Sequence, residues 1–351
     1  MFRLIVLLLC LKSTNIIAQL PYLVEDNEKY TFSMIREDLF RFHEYVPQFT
    51  QIDTIGYSEF GLPLLCLTVG NKNKAPSYPI FLVGNIHARE DYSSKYVMKF
   101  TNILLQSLEK QTTIFPKATN WLDSMTFYII PVANPDGLKI AHEDWVEIET
   151  WKDSVMALTR VETLAEWKAN GKGTDLNNNF DDGYHLYKKS AISQEFPASE
   201  GYKGCHPADA KEVVALQKFI LKTKPLLTLS FHTKGNILFW RDCDTYEKYN
   251  HVDSLINAKV ATTTNMKLAD ISYNPISYAS GLENFVRSRL DLLAVCVELS
   301  PSDGKRKQYP DAKFNSLVWD KTNQLIPTYL DELFRLQMLW PQAFYETKSK
   351  N

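Results

Sequence analysis

Within residues 27–45 apolar side chains recur at three- and four-residue steps, Phe32, Ile35, Leu39 and Phe42, and this spacing predicts an amphipathic helix that Pro47 ends. Residues 50–57 and 62–69 flank Gly61 and predict paired strands joined by a longer turn. A different pattern follows at 79–90, PIFLVGNIHARE. Its run Ile80 to Val83 is uniformly apolar, as in a strand covered on both faces, and it breaks at Gly84-Asn85. Residues 91–109 then read as a helix, and 125–131 as another short buried strand that stops at Asn134-Pro135-Asp136-Gly137, whose residue types predict a tight turn. Helices are predicted over 150–167, 208–223, 252–266, 281–290 and 313–339, and strands over 226–231 and 294–299. Alternation of this kind predicts a single α/β domain with a mostly parallel, mixed, twisted sheet and helices on both faces.

Composition narrows the partners. Of 351 residues 45% are hydrophobic and 23% charged, with a formal net charge of -2. There is no basic surplus to neutralise phosphates, so no nucleic-acid partner is expected. Residues 1–18 differ from the rest: Arg3 precedes an apolar stretch at 4–11 too short to span a bilayer, Lys12 closes it, and Ala18 offers a cleavage site. The expectation is a signal peptide, a mature monomer that does not enter a membrane, and a secreted or periplasmic location. Cys66 and Cys296 lie in apolar runs and read as small buried hydrophobes, whereas Cys205 and Cys243 lie in polar loops where pairing is not assignable.

The chemistry-bearing residues stand where apolar strands stop. His87 and Glu90 follow the 79–83 run, His232 follows 226–231, and Glu298 closes the run 294–297. In open α/β sheets ligand groups gather at such strand ends. An imidazole and a carboxylate separated by two residues can reach one ion, and two His with one Glu leave a tetrahedral zinc one open position for water. A further carboxylate beside that water would serve as general base. Taken one at a time, His232 also reads as a satisfied core histidine and Glu298 as a strand-end salt-bridge partner.

Five segments in order, HARE at 87–90, NPDG at 134–137, GTDLNNNF at 173–180, SFHTKG at 230–235 and VEL at 297–299, resemble the zinc carboxypeptidases of the carboxypeptidase A/B-like (funnelin) family. WKANGKGTDLN and FHTKGNILFW look nearest to the branch that cleaves γ-D-glutamyl-diamino acid bonds of cell-wall peptides. The resemblance implies one Zn2+ held by His87, Glu90 and His232, with Glu298 activating water for attack on a peptide substrate. Residues 19–341 would then be the catalytic domain and 342–351 a tail. It also implies that Lys168 steadies the developing oxyanion with Arg89 nearby, that Tyr278 of ISYASG closes over substrate, and that Asn177, Asn178 and Glu283 contact it. Asn178 departs from the family, which has an arginine there to grip a terminal carboxylate. Either another cation, from Lys172, Lys234, Arg241 or Arg287, serves instead, or the bound end is not a free α-carboxylate. A zinc-dependent deacylase of small N-acyl amino acids and an inactive peptide-binding module of the same fold are the alternatives.

Overall fold

The computed structural model describes residues 29–70, 78–110, 115–186, 192–241, 252–269 and 280–337. The strands are β1 (Thr50–Tyr57), β2 (Pro63–Val69), β3 (Tyr78–Val83), β4 (Met125–Ile130), β5 (Leu227–Thr233), β6 (Ile237–Phe239), β7 (Lys267–Leu268) and β8 (Leu293–Leu299). They form one mixed sheet in the order β1-β2-β4-β3-β5-β8-β6-β7. Its middle, β4-β3-β5-β8, is parallel throughout, and β1 and β2 pair antiparallel with Thr50 opposite Val69.

The helices are α1 (Phe32–Tyr45), α2 (Asp91–Lys110), α3 (Ala118–Ser124), α4 (Pro135–Ala141), α5 (Lys152–Leu158), α6 (Lys211–Thr223), α7 (Val252–Thr264), α8 (Leu282–Leu290), α9 (Asp320–Thr322) and α10 (Leu325–Gln337). In α1 the periodic residues Phe32, Ile35, Leu39 and Phe42 are buried, and the Thr31 hydroxyl caps the first turn by accepting from the Met34 amide. One core joins α2, α7 and α10 to Leu229, Phe231, Val295 and Val297 of the central strands. A second core joins α6 and α8 to Phe81, Val83 and Ala294.

Alternation along the two strands β5 and β8 prepares the site. Leu227, Leu229 and Phe231, with Leu293, Val295, Val297 and Leu299, face the larger core. The opposite positions are therefore Thr228, Ser230 and His232 on β5 and Ala294, Cys296 and Glu298 on β8. Register places His232 beside Glu298 and Ser230 beside Cys296.

Three predicted elements differ. The 150–167 helix is a 3-10 turn, α5 and a second 3-10 turn, because Arg160, Lys168 and Ala169 turn their amides to Ser199. NPDG is the start of α4 instead of a loop: the Asn134 side chain accepts from the Gly137 amide, and Pro135 occupies the first helical position, where no amide is needed. The closing helix is interrupted after α9, and Pro327 lies in the first turn of α10, where its missing N–H costs nothing.

Candidate functional site

The loop after β3 is held by glycine and asparagine chemistry. A Cβ on Gly84 would lie 2.8 Å from the Pro131 carbonyl oxygen, so only glycine lets β3 and the segment after β4 approach so closely. Asn85 adopts a left-handed φ of 52°, and its side-chain amide donates to the His87 and Ala88 carbonyls. The Asn134 amide donates to the carbonyls of Ile86 and Ala169, and the Ala88 amide donates to the Lys168 carbonyl. NPDG thus ties the His87 loop to the segment carrying Lys168 and Asp175.

Three side chains converge on one point. His87 Nδ1 is 3.0 Å from Glu90 Oε1, His232 Nδ1 is 3.0 Å from Glu90 Oε2, and the two ring nitrogens are 3.1 Å apart. These separations are close to the edge of about 3.3 Å that a tetrahedral zinc with ordinary Zn–N bonds requires. All three residues are buried. Two lone-pair nitrogens and a carboxylate facing one another repel unless a cation lies among them, and a dication meets that need.

The surrounding charges have the same sense. Burial opposes ionisation of Glu90, but His87 and His232 outweigh it and hold its carboxyl well below the ordinary range. Asp175 accepts from Lys168 Nζ at 2.9 Å and places its other oxygen 3.2 Å from His87 Nε2. Burial again opposes its charge, and Lys168 and His87 overcome it, so Asp175 stays ionised. A carboxylate behind a ligating histidine fixes the ring and raises its basicity. Behind His232, Ser230 Oγ is 3.1 Å and Glu283 Oε1 3.7 Å from Nε2. Burial works against a protonated His232, yet Glu283 and Glu90 raise its pKa well above the ordinary value. In each case the site asks for positive charge, from a proton or a metal ion.

Glu298 shares the site without joining the triad. Burial and the neighbouring Glu90 push its pKa up to about 7, against the pull of His232, His87 and Lys168. A cation at the triad acts in the direction of those three and lowers it. A carboxylate that such a cation keeps ionised, standing beside the metal position without joining it, is suited to accept a proton.

Beside the triad lies a cavity of about 230 Å³, bounded by His87, Lys168, Asn177, Asn178, His232, Arg241, Glu283, Arg287, Cys296 and Glu298, among others. Lys168 follows the second 3-10 turn, whose cap residue Trp167 is extended; burial disfavours the lysine's charge, but Asp175 and Glu90 prevail and raise its pKa. Asn177 Oδ1 accepts from the Leu282 amide and so caps α8, while Asn284 Oδ1 accepts from the Gly281 amide. With capping done by these asparagines, Glu283 is turned to His232.

Arg89 is placed elsewhere. Its guanidinium donates to Glu200 and to the Glu166 carbonyl, and it does not bound the cavity. Of the four candidate replacement cations, Lys172 pairs with Glu59 and Lys234 with Asp303, whereas Arg241 and Arg287 reach the cavity wall. Arg287 donates to the carbonyls of Ala294 and Phe239. Tyr278, Cys243 and residues 1–18 lie outside the described residues.

Two features had no signal of their own. Asp175 looked like any motif carboxylate, and only the fold brings it behind His87. Cys296, expected to be buried packing, is half-buried on the cavity wall, because β8 alternates and turns positions 294, 296 and 298 away from the larger core. The described cysteines Cys66, Cys205 and Cys296 carry free thiols.

The zinc carboxypeptidase family model matches residues 35–332. Gamma-D-glutamyl-L-diamino acid endopeptidase 1 of Lysinibacillus sphaericus is 28% identical over 220 residues, 62% of this chain and 54% of the relative. Carboxypeptidase B2 of Rattus norvegicus is 33% identical over 177 residues, 50% of this chain and 38% of the relative. The chain thus matches about half, or less, of the length of these relatives. Bovine thrombin-activatable fibrinolysis inhibitor, solved with a tick carboxypeptidase inhibitor, superposes with a TM-score of 0.66 at 20% identity, covering 89% of this chain and 99% of that one.

Proposed function

Because the chain belongs to the zinc carboxypeptidase family, we propose that it is a secreted metallopeptidase that hydrolyses γ-D-glutamyl-diamino acid bonds of cell-wall peptides. The observation that carries this reading is the buried meeting of His87 Nδ1, Glu90 and His232 Nδ1 beside Glu298. Zinc held by His87, Glu90 and His232 supplies Lewis acidity and makes water acidic near neutral pH.

The chain's own groups do the rest. Glu298 takes the proton of the attacking water and passes it to the leaving amine. Lys168 spends one of its three donors on Asp175, leaving two for the oxygen on which negative charge develops. Asp175 keeps His87 oriented from behind. Tyr278 enters as a residue closing over substrate on the strength of its ISYASG segment alone, and secretion rests on the pattern of residues 1–18.

The substrate reading is supported by the cavity wall. Asn178 removes the cation that would grip a terminal α-carboxylate at its position, and Arg241, Arg287 and Glu283 bring both signs of charge to the same wall. A diamino acid carries an ammonium on its side chain, which the Glu283 carboxylate suits, and a carboxyl group of its own. The test compares the zinc-loaded chain on a γ-D-glutamyl-diamino acid peptide and on an α-linked blocked dipeptide with a free carboxylate. A kcat/KM at least about 100-fold higher on the γ-linked peptide is expected, since a site built for polar groups rejects analogues lacking them. Preference for the α-linked acid would make the chain an ordinary carboxypeptidase and overturn the substrate assignment.

A further inference from the structure

Residues 303–309, DGKRKQY, follow shortly after β8 and carry Lys305, Arg306 and Lys307 against the single carboxylate of Asp303, in a chain whose formal net charge is -2. All three cations are exposed. An exposed basic run is by itself only a solvated face. This one is a strap fixed in place beside the metal position.

The strap is pinned by groups that belong to the walls of the site. Gln308 Nε2 donates to Thr233 Oγ1, and the Thr233 amide donates to Glu90 Oε2 at 3.2 Å. Lys234 Nζ donates to Asp303 and to the Lys307 carbonyl, and lies 4.8 Å from the centre of the Tyr309 ring. Arg306 Nη2 is 2.8 Å from Glu200 Oε1, and the other oxygen of Glu200 accepts from Arg89 at 2.9 Å. Glu200, only 6% exposed, is thus clamped between two guanidinium groups. Arg306 is anchored by that contact, yet its side chain stays 46% exposed, so the rest of its planar set of donors faces outward.

The strap flanks the acyl side of the reaction. None of its residues bounds the cavity in which Glu283, Arg241 and Arg287 await the leaving residue. It stands instead beside Arg89 and Glu200, next to the Ser199 carbonyl that accepts the Lys168 amide. A substrate whose scissile carbonyl lies between Lys168 and the metal position, with its leaving residue in the cavity, therefore runs its acyl part toward the strap. A γ-linked glutamyl residue is joined through its side-chain carboxyl and keeps its α-carboxylate free, on the third carbon beyond the scissile carbonyl. In an α-linked peptide only a glutamate side chain puts a charge at that distance.

We propose that the strap reads this acyl-side carboxylate: Arg306, held by Glu200 and flanked by Lys305 and Lys307, binds the free α-carboxylate of the γ-linked glutamyl residue. The proposal rests on the γ-D-glutamyl reading of the substrate and adds to it a contact on the side of the bond away from the cavity. A guanidinium fork suits a carboxylate better than an ammonium does, and the exposure of the strap makes the contact sensitive to salt.

The test assays the zinc-loaded full chain on a γ-D-glutamyl-diamino acid peptide with its α-carboxylate free and on the same peptide with that carboxyl as a primary amide. At low salt the wild type should show a kcat/KM at least about fivefold higher on the acid, carried by KM, and the ratio should fall toward one at high salt. Arg306→Gln, and separately Lys305→Gln with Lys307→Gln, should each shrink the ratio, the arginine change to within about twofold of one, and Arg306→Lys should restore part of it. Hydrolysis of the amide persisting in these variants reports that they have folded. Equal kcat/KM on acid and amide in the wild type, or a ratio unmoved in Arg306→Gln, would overturn the proposal. Failure to cleave either γ-linked peptide would instead strike the γ-glutamyl reading. The strap is then tested on α-linked peptides with Glu or Gln as the acyl residue, where preference for Glu that Arg306→Gln abolishes would uphold it and equal rates would overturn it.

Discussion

Glu298 occupies a position that constrains its chemistry tightly. It is the neighbour of His232 across the sheet, and its backbone pairs on the other side with Ile237 of β6. A Cβ on Gly235 would lie 2.9 Å from its own Cβ, so the carboxylate is packed from that side and opens toward the triad. Substitution by glutamine keeps the shape and removes the proton acceptor. The expected outcome is a fall in kcat of about 10²- to 10⁴-fold with one zinc still bound, measured by steady-state kinetics beside metal analysis. A fall of less than tenfold would assign the base to another group. The meeting of His87, Glu90, His232 and Glu298 was legible because each lies at or just past the end of an apolar run. Placement was not legible for Arg89, which the HARE segment places beside two ligands but which the fold commits to Glu200.

At the scale of elements, the scaffold behind the site holds carboxyl groups in unusual surroundings. Asp136 of α4 accepts from the Ser58 hydroxyl and the Phe60 amide, and Glu212 of α6 accepts from Asn170 Nδ2, the residue whose Oδ1 receives the amides of Lys172 and Thr174. Burial, reinforced by Asp136, raises the pKa of Glu212, and burial also raises that of Asp136. A carboxyl whose pKa is raised on folding binds its proton more tightly in the native state. Its contribution to stability is therefore whole below the unfolded value of about 4.3 and is lost as pH rises through the raised native value. The slope for one such group reaches about 1.4 kcal/mol per pH unit. Denaturant unfolding should show stability declining from about pH 4.5 upward, and Glu212→Gln should flatten that decline whatever its effect on absolute stability. Equal slopes in the two proteins would remove Glu212 from the account.

The same elements show where pattern reading stops. Asn134 followed by Pro135 is a helix start as well as a turn signal, and which of the two prevails depends on Gly137 lying against the Asn134 side chain and the Ala169 carbonyl. Pro327 was a visible break in the 313–339 segment. The interruption within 150–167 had no such mark, since it is imposed by Ser199, 39 residues beyond Arg160.

For the whole molecule, the parallel order β3-β5-β8 brings His87, His232 and Glu298 together at the carboxyl ends of three strands in the middle of the sheet, from three distant parts of the chain. That convergence was legible because each strand announced its own end; the layering of Asp175, Glu283 and Cys296 behind and beside it was not, because it depends on which face each neighbouring segment presents. Among the described residues no helix is long and apolar enough to cross a membrane. The measurement that bears most directly on the central claim is the zinc content of the mature full chain, taken together with hydrolysis of the γ-D-glutamyl-diamino acid peptide before and after chelation. One tightly held zinc per chain is expected, with loss of hydrolysis when it is removed and recovery on adding back one equivalent. Hydrolysis that survives complete removal of zinc, or a chain that holds none at one equivalent, would contradict it.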